Sequence, residues 1–402
     1  MNAWITVVGI GEEGMASLND RARLAVETAD VLIGGERHLA KVPEGGAERI
    51  DWSEGMEAAY DKIAERHGKT VVVLASGDPM SYGVGSTLSR RFGSDALDVM
   101  PVPGAFSMAA ARMGWSLAKS EQLTVHGRTL ERVNYYLYPG ARLLILAWDG
   151  ATPAKLARHL TDKGFGDSAV AVLEHMGGEK ENRIEAAARN WSVERTADLN
   201  TIAVHVVAGP EAQVWPRVPG LPEEAYEHDG KITKREVRAA TVAALAPKPG
   251  EVLWDVGAGS GSVAIEWMRA EPMAEATAFE KDAEKCEAIE RNAANLGVPA
   301  LEVIQGMVPG ALDTVDGEPD AVFVGGGIAR GWVVDAAWKR LKTGGRLVAN
   351  AVTVEAQSVL MDFHSSHGGE LVRIAVAKSD AVGSMTGLRP LMEVLQLRAV
   401  KS

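Results

Sequence analysis

The run Trp254-Asp255-Val256-Gly257-Ala258-Gly259-Ser260-Gly261-Ser262 constrains this chain more than any other segment. A β-branched apolar stretch, VLWDV, passes through three alternating glycines directly into the amphipathic stretch SVAIEW. A strand that ends in such a turn and continues as a helix is the building unit of a doubly wound α/β sheet, whose ligands bind beyond the carboxyl ends of the strands. Glycine suits that place because it turns sharply and lets the backbone approach a ligand. Taken alone, the turn is compatible with a ligand-binding loop, a bare strand-to-helix connection or a dinucleotide site.

The flanking residues narrow the choice. Glu280 closes the next strand, ATAFE, where its carboxylate can accept hydrogen bonds from both hydroxyls of a ribose. The dinucleotide pattern G-x-G-x-x-G is not met, because position 262 is Ser. Gln305-Gly306-Met307 follow the third strand, within reach of an adenine edge and face, and Asn350-Ala351 come at the end of GGRLVANAV. This register fits S-adenosyl-L-methionine and a Rossmann-like class I methyltransferase fold better than a dinucleotide. The expected cofactor contacts are Asp255, Gly257, Ala258, Gly259, Ser260, Gly261, Glu280, Gly306 and Met307.

A chain of 402 residues exceeds one ordinary core, so two domains are expected. Prolines 210, 216, 219 and 222 mark a linker over 211–227, between a first domain at 1–210 and a second at 228–402. Residues 1–210 carry 22 Lys/Arg against 27 Asp/Glu, and residues 211–402 carry 20 against 27. Two acidic halves disfavour nucleic acid, which needs a basic surface, and an anionic small ligand would need a local basic pocket. The single cysteine, Cys286, excludes an internal disulfide and a cysteine-cluster metal site. With no basic leader and no long apolar run, the expectation is a cytoplasmic protein without a membrane anchor or bound metal.

The first domain alternates apolar runs with amphipathic ones: WITVVGIG, SLNDRARLAVETA, ADVLIGG, GMEAAYDKIAERH, VVVLASGDP and onward to LTVHG. A second group, ARLLILAW, TPAKLARHLTDKG, AVAVLEHMG, a charged helix ENRIEAAARNW and TIAVHVVAG, implies a second lobe. In the second domain, LVRIAVAKSD and LMEVLQLRAV are read as the last strands.

Two resemblances add to this reading. HDGKITKREVRAATVAALAPKPGEVLWDVGAGSGSVAIEW, NAANLG, VFVGGG and GGRLVANAVTVE resemble the decarboxylating precorrin methyltransferases of cobalamin biosynthesis over most of 228–354. That resemblance implies methylation of carbon 15 of a tetrapyrrole and loss of carbon dioxide from the acetate on carbon 12. It also places Thr233 over the cofactor, although T-x-x-E (Thr233, Glu236) equally reads as a helix capping box. The family's Gly-Gly-Ser turn is replaced here by Gly325-Gly326-Gly327.

VVGIGEEG, ASGDPMSYG, VPGAFSMAAARMG and VHGR resemble, over about 1–208, the two-lobed tetrapyrrole methylases, nearest to those acting on carbon 5. The family's opening G-x-G-P-G is altered to Gly9-Ile10-Gly11-Glu12-Glu13-Gly14, on a loop the resemblance turns toward substrate. Cofactor contacts implied there are Gly77, Asp78, Tyr82, Pro103 and Gly104; His126 reads as structural. Together the halves resemble fused carbon-5 and carbon-15 methylases, with a tetrapyrrole substrate and symmetric self-association expected. An acidic chain that binds a polycarboxylate must concentrate cations in its clefts. Arg112, Arg128, Lys234, Arg238 and Arg330 are the substrate-binding candidates, with Arg235 and Arg389 as further possibilities. Two alternatives stay open: a two-domain methyltransferase for another substrate, and a domain that binds S-adenosylmethionine without catalysis.

Overall fold

The computed structural model describes residues 3–52 and 55–402, whose contacts fall into two units. The first runs to Arg128 and resumes over Leu137–Gln213; the second comprises Thr129–Tyr136 and Val214–Ser402.

In the first unit, β1 (Ile5–Ile10), β2 (Val31–Gly34), β3 (Glu48–Asp51), β4 (Val71–Ser76) and β5 (Leu97–Met100) form a parallel sheet in the order β3-β2-β4-β1-β5. Such a sheet is covered on both faces, which is why its strands read as unbroken apolar runs. Ile5, Val7, Val71 and Val73 pack with Tyr60, Ile63 and Leu88, while Val8, Ile10, Val72 and Leu74 pack with Ala22 and Val26. The second lobe has β6 (Glu121–Thr124), β7 (Arg142–Leu146), β8 (Ala169–Glu174), β9 (Asn182–Ala187) and β10 (Asn200–His205) in the order β6-β7-β10-β8-β9, antiparallel except for β6 with β7.

Strand β9 corrects the helix expected over ENRIEAAARNW. Alanine and glutamate favour a helix locally, but β8 offers a free edge, and Val172 opposite Ile184 and Val170 opposite Ala186 fix the pairing. Ile184 and Ala186 are half-buried and Glu185 is exposed, a period of two that tertiary pairing imposes over propensity.

The second unit contains β11 (Val252–Val256), β12 (Glu275–Glu280), β13 (Glu302–Gln305), β14 (Ala321–Val324), β15 (Arg346–Ala351), β16 (Glu370–Ile374), β17 (Ala377–Val382), β18 (Met385–Pro390) and β19 (Val394–Val400). Its main sheet runs β13-β12-β11-β14-β15-β19-β16, with β19 antiparallel to both neighbours. The stretch read as one strand, LVRIAVAKSD, divides into β16 and β17. Among the described residues the latter pairs only with β18, in an exposed hairpin turning at Gly383 (φ +62°).

Residues 214–227 do not behave as a loose linker. Leu221 and Tyr226 are buried, and the Glu266 carboxylate accepts hydrogen bonds from the amides of Gly220 (2.7 Å) and Leu221 (2.9 Å) and from the Tyr226 hydroxyl (2.9 Å). Arg238 donates to the same carboxylate at 2.7 Å. The segment Thr129–Tyr136 also belongs to this unit: the Tyr135 hydroxyl donates to the Arg269 carbonyl at 3.1 Å and Asn134 to the Ala294 carbonyl at 2.9 Å. No helix among the described residues is long and apolar enough to cross a membrane, and none of their His, Cys, Asp and Glu side chains form a group suited to a metal ion.

Candidate functional site

At the carboxyl end of β11 the amides of Gly257 (2.9 Å) and Ala258 (3.2 Å) donate to the Phe279 carbonyl, tying the turn to β12. Gly257 has φ +73°, and a Cβ there would lie 2.9 Å from Cα of Gly326. No larger residue fits where the two glycine turns touch. A Cβ on Gly259 would meet nothing within 4 Å, so the rim of the turn is open to a ligand. Ser260 is buried, and its carbonyl accepts from Asn292 at 3.0 Å, while Gly261 (φ +72°) leads into helix Ser262–Ala270.

Glu280 sits at the end of β12, one oxygen accepting from the Gly259 amide at 3.0 Å and the other from Lys281 at 2.9 Å. Its backbone carbonyl holds the Gly306 amide at 2.9 Å, which sets the exposed Met307 beside it. Asp255 is fully enclosed; one oxygen accepts from the Ala264 amide at 3.1 Å and the other has no partner among the described residues. Burial pushes its carboxyl up to about 7, the charge of Glu280 adding to the rise and the Ala264 amide opposing it. The open glycine rim and the Glu280 carboxylate beside it fit S-adenosylmethionine, whereas Asp255, expected as a contact, is enclosed behind the turn. Asn350 differs from expectation: it lies inside β15 and joins Thr241 (2.8 Å) and Gln396 (2.9 Å) in an internal network.

In the first unit a cleft of about 740 Å³, within the range of small-molecule sites, is lined by Gly77, Asp78, Tyr82, Pro103, Gly104, His126 and Arg128. Gly9 packs directly against this lining, since a Cβ there would come 1.8 Å from the Gly77 carbonyl oxygen. Asp78 accepts from the Met80 amide at 2.9 Å, so it shapes its turn while lining the cleft. Tyr82 holds φ +54°, uncommon for a residue with a side chain, with its ring exposed and the Arg128 guanidinium 5.8 Å from the ring centre. His126 stacks on Trp148 (5.3 Å between centroids), with both rings on the cleft wall.

The same cleft holds Glu12, on the loop the resemblance turns toward substrate, and with it Arg37, His38, Lys41 and His175, which the sequence analysis did not single out. Lys41 and Arg37 (3.2 Å) pair with one oxygen of Glu12, and His175 Nδ1 lies 3.2 Å from the other. Burial raises the Glu12 carboxyl, but the hydrogen bonds of Lys41 and His175 and the charges of Lys41 and Arg37 bring it below its ordinary range. Burial, with the charges of Arg37 and Lys41, lowers His38 to about 4, and its Nε2 lies 2.8 Å from Ser76 Oγ. The signal was the cationic run GGERHLAK directly after β2, at the same strand ends as the glycine turns.

The remaining basic candidates separate clearly. Arg238 is fully buried against Glu266, with Nη atoms on the Thr233 and Leu221 carbonyls, so it holds the fold together and cannot meet a substrate. Thr233 does not cap the next helix: Lys234 is the N-cap residue, without a side-chain bond, and the Thr233 carbonyl accepts from Arg238. Arg112 is paired with Glu181 and is absent from the cleft lining. That pairing, with the Gly177 amide, lowers Glu181 to about 2. Arg389 pairs with Asp380 on the hairpin at 2.9 Å, and the Arg235 amide donates to Glu223 at 3.2 Å. Arg128 lines the cleft, and Arg330 stands exposed beside Met307, 3.7 Å from its sulfur.

Residues 5–190 match the family of tetrapyrrole (corrin/porphyrin) methylases and residues 224–401 the precorrin methyltransferase domain. A precorrin-6Y C(5,15)-methyltransferase (decarboxylating) of a Sinorhizobium species is 45% identical over 399 residues, covering 98% of this chain and 96% of that one. The protein of the same name from Mycobacterium tuberculosis (strain CDC 1551 / Oshkosh) is 40% identical over 401 residues, covering 99% and 100%. The crystal structure of the C-terminal domain of precorrin-6Y C5,15-methyltransferase from Rhodobacter capsulatus is 42% identical, spans 46% of this chain and all of its own, and superposes with a TM-score of 0.44. The chain belongs to the precorrin-6Y C(5,15)-methyltransferase (decarboxylating) family.

Proposed function

We propose that this chain methylates precorrin-6Y at carbons 5 and 15 and removes the carboxyl group of the ring C acetate, giving precorrin-8X. In this reading the first unit serves carbon 5, and the second serves carbon 15 and the decarboxylation. The observation that carries it is one chain bearing two separate glycine-lined sites, each on its own hydrophobic core. S-adenosylmethionine supplies an electrophilic methyl group to both. Gly77, Asp78, Tyr82, Pro103 and Gly104 hold it in the first unit. Thr233, Gly257–Gly261, Glu280, Gly306 and Met307 hold it in the second, and the enclosed Asp255 supports the turn from behind through the Ala264 amide.

Methyl transfer to an enamine-like carbon needs in-line approach and exclusion of water more than acid–base groups, and in this reading that is the task of the glycine turns and the cleft walls. For decarboxylation the conjugated macrocycle accepts the electron pair, so the task of the second unit is to hold the other carboxylates, the role this reading gives Arg330 and Lys234; Arg128, on the cleft of the first unit, holds a substrate carboxylate during carbon-5 methylation. Symmetric self-association in the cytoplasm, with no nucleic-acid partner, belongs to the same reading.

Two full-length variants test it, Gly257→Val and Gly104→Val, each blocking one site. Mass analysis of the macrocycle should find no carbon dioxide loss in a reaction held at the Gly257→Val block, and mixing the two variants should restore the complete product. Carbon dioxide loss undiminished in Gly257→Val overturns the assignment of decarboxylation to the second unit.

A further inference from the structure

Replacing C–H by C–CH3 with a sulfonium donor leaves one proton to be removed for each methyl added. The cleft of the first unit holds a pair suited to that task. His175 Nδ1 lies 3.2 Å from Glu12 Oε2, while the other oxygen of Glu12 is held by Lys41 and Arg37. The two cations keep Glu12 an acceptor, so Nδ1 carries the ring proton and donates it, and Nε2 is left with its lone pair. Nε2 has no protein partner among the described residues, and the ring lines the cleft with Gly77, Asp78 and Gly104. The backbone is set for this placement: His175 has φ +46°, its amide donates to the Leu199 carbonyl at 3.1 Å and its carbonyl accepts from Gly178 at 2.9 Å. A side-chain residue held in the left-handed region is strained, and such strain concentrates at functional sites.

We infer that His175, oriented by Glu12, is the base that takes the proton from carbon 5 during its methylation. This rests on the reading of the first unit given above. The C5–CH3 bond forms as the S–CH3 bond breaks, and the electron pair of that bond stays on sulfur. The C5–H bond then breaks, its electron pair returns to the π system, and the proton passes to His175 Nε2. Glu12 stabilises the resulting imidazolium and remains ionised throughout. The other charged or titratable groups around this loop include Lys41 and Arg37 on Glu12, His38 near Glu12, Glu13 against Gly177, Glu181 on the Gly177 amide with Arg112 paired to it, and Glu179 and Lys180 on the loop itself.

The test uses the full chain with S-adenosylmethionine and a tetrapyrrole carrying deuterium at carbon 5. Asn and Gly both tolerate positive φ, so His175→Asn and His175→Gly retain the backbone. We expect each to slow carbon-5 methylation about 100-fold, the usual scale of a positioned base. The acidic limb of the pH profile should disappear, and an isotope effect on the deuterated carbon should emerge as proton removal becomes limiting. Carbon-15 methylation and carbon dioxide release by the second unit should continue unchanged, which controls for folding. Imidazole should restore part of the rate to His175→Gly, and Glu12→Gln should slow the reaction less than loss of the ring. A His175→Asn variant with the wild-type rate, or slowed only through KM with its pH profile intact, overturns the inference alone. A wild-type chain that adds no methyl at carbon 5 overturns the reading of the unit and this inference with it.

Discussion

Glu266→Ala is the substitution whose effect the structure specifies best. Glu266 and Arg238 have side chains 1% and 0% exposed, and the carboxylate gathers the Gly220 and Leu221 amides, the Tyr226 hydroxyl and the Arg238 guanidinium. Its removal leaves a buried cation without its counter-charge and two buried amides without acceptors. Breaking a buried ion pair from one side costs about 3–5 kcal/mol, and orphaned amides act in the same direction without adding fully. The second unit should therefore open roughly two to four orders of magnitude more often. A chain of two units does not unfold in one step, so the assay is segment-resolved hydrogen exchange on the full-length protein. Protection should fall across residues 214–245 while β1–β5 keep theirs. Adding Arg238→Met removes the uncompensated charge and should recover part of the loss. If Glu266→Ala costs under about 1 kcal/mol and residues 214–245 stay protected, the ion pair does not anchor the segment after the domain boundary.

Further outcomes follow from the two sites. Burial raises Asp255 to about 7, so its contribution to stability is fully present below the ordinary aspartate range and is lost as pH rises through 7. Asp255→Asn should flatten the pH dependence of second-unit stability between about pH 4 and 7; equal slopes in both proteins by urea titration would contradict this. Gly257→Ala places a Cβ 2.9 Å from Gly326 at φ +73° and should weaken S-adenosylmethionine more than about tenfold at one of two sites by calorimetry. Two unchanged sites would sink that account of the turn. Arg330→Ala should raise KM for decarboxylation roughly 10- to 100-fold, the scale of a charged hydrogen bond, with cofactor affinity preserved; unchanged decarboxylation kinetics would remove Arg330 from the substrate site.

The glycine turns were legible because their chemistry is local: Gly257 and Gly77 stand where a strand end must turn and where a Cβ would strike a neighbour, and at Gly104 a Cβ would crowd Asp78. Glu280 was legible by its place at the end of β12. Arg238 was not, because only the return of residues 220–226 across helix Ser262–Ala270 makes it an internal cation, and composition cannot distinguish that from a substrate-binding arginine. Strand β9 was misread because its alanines and glutamates favour a helix until β8 supplies an edge. The Glu12–His175 pair joins positions 163 residues apart, so it exists only once the two lobes fold. Thr129–Tyr136 gave no composition signal for its membership of the second unit; its anchor is Tyr135 on the Arg269 carbonyl.

The central claim is that one chain carries two working methyl-transfer sites and one decarboxylating site. It is tested most directly by incubating the full-length protein with precorrin-6Y and S-adenosylmethionine labelled in its methyl group, then weighing the macrocycle and counting the carbon dioxide released. Two labelled methyl groups gained for each carbon dioxide lost is the predicted result. One methyl per carbon dioxide, or two methyls with no carbon dioxide, would contradict it.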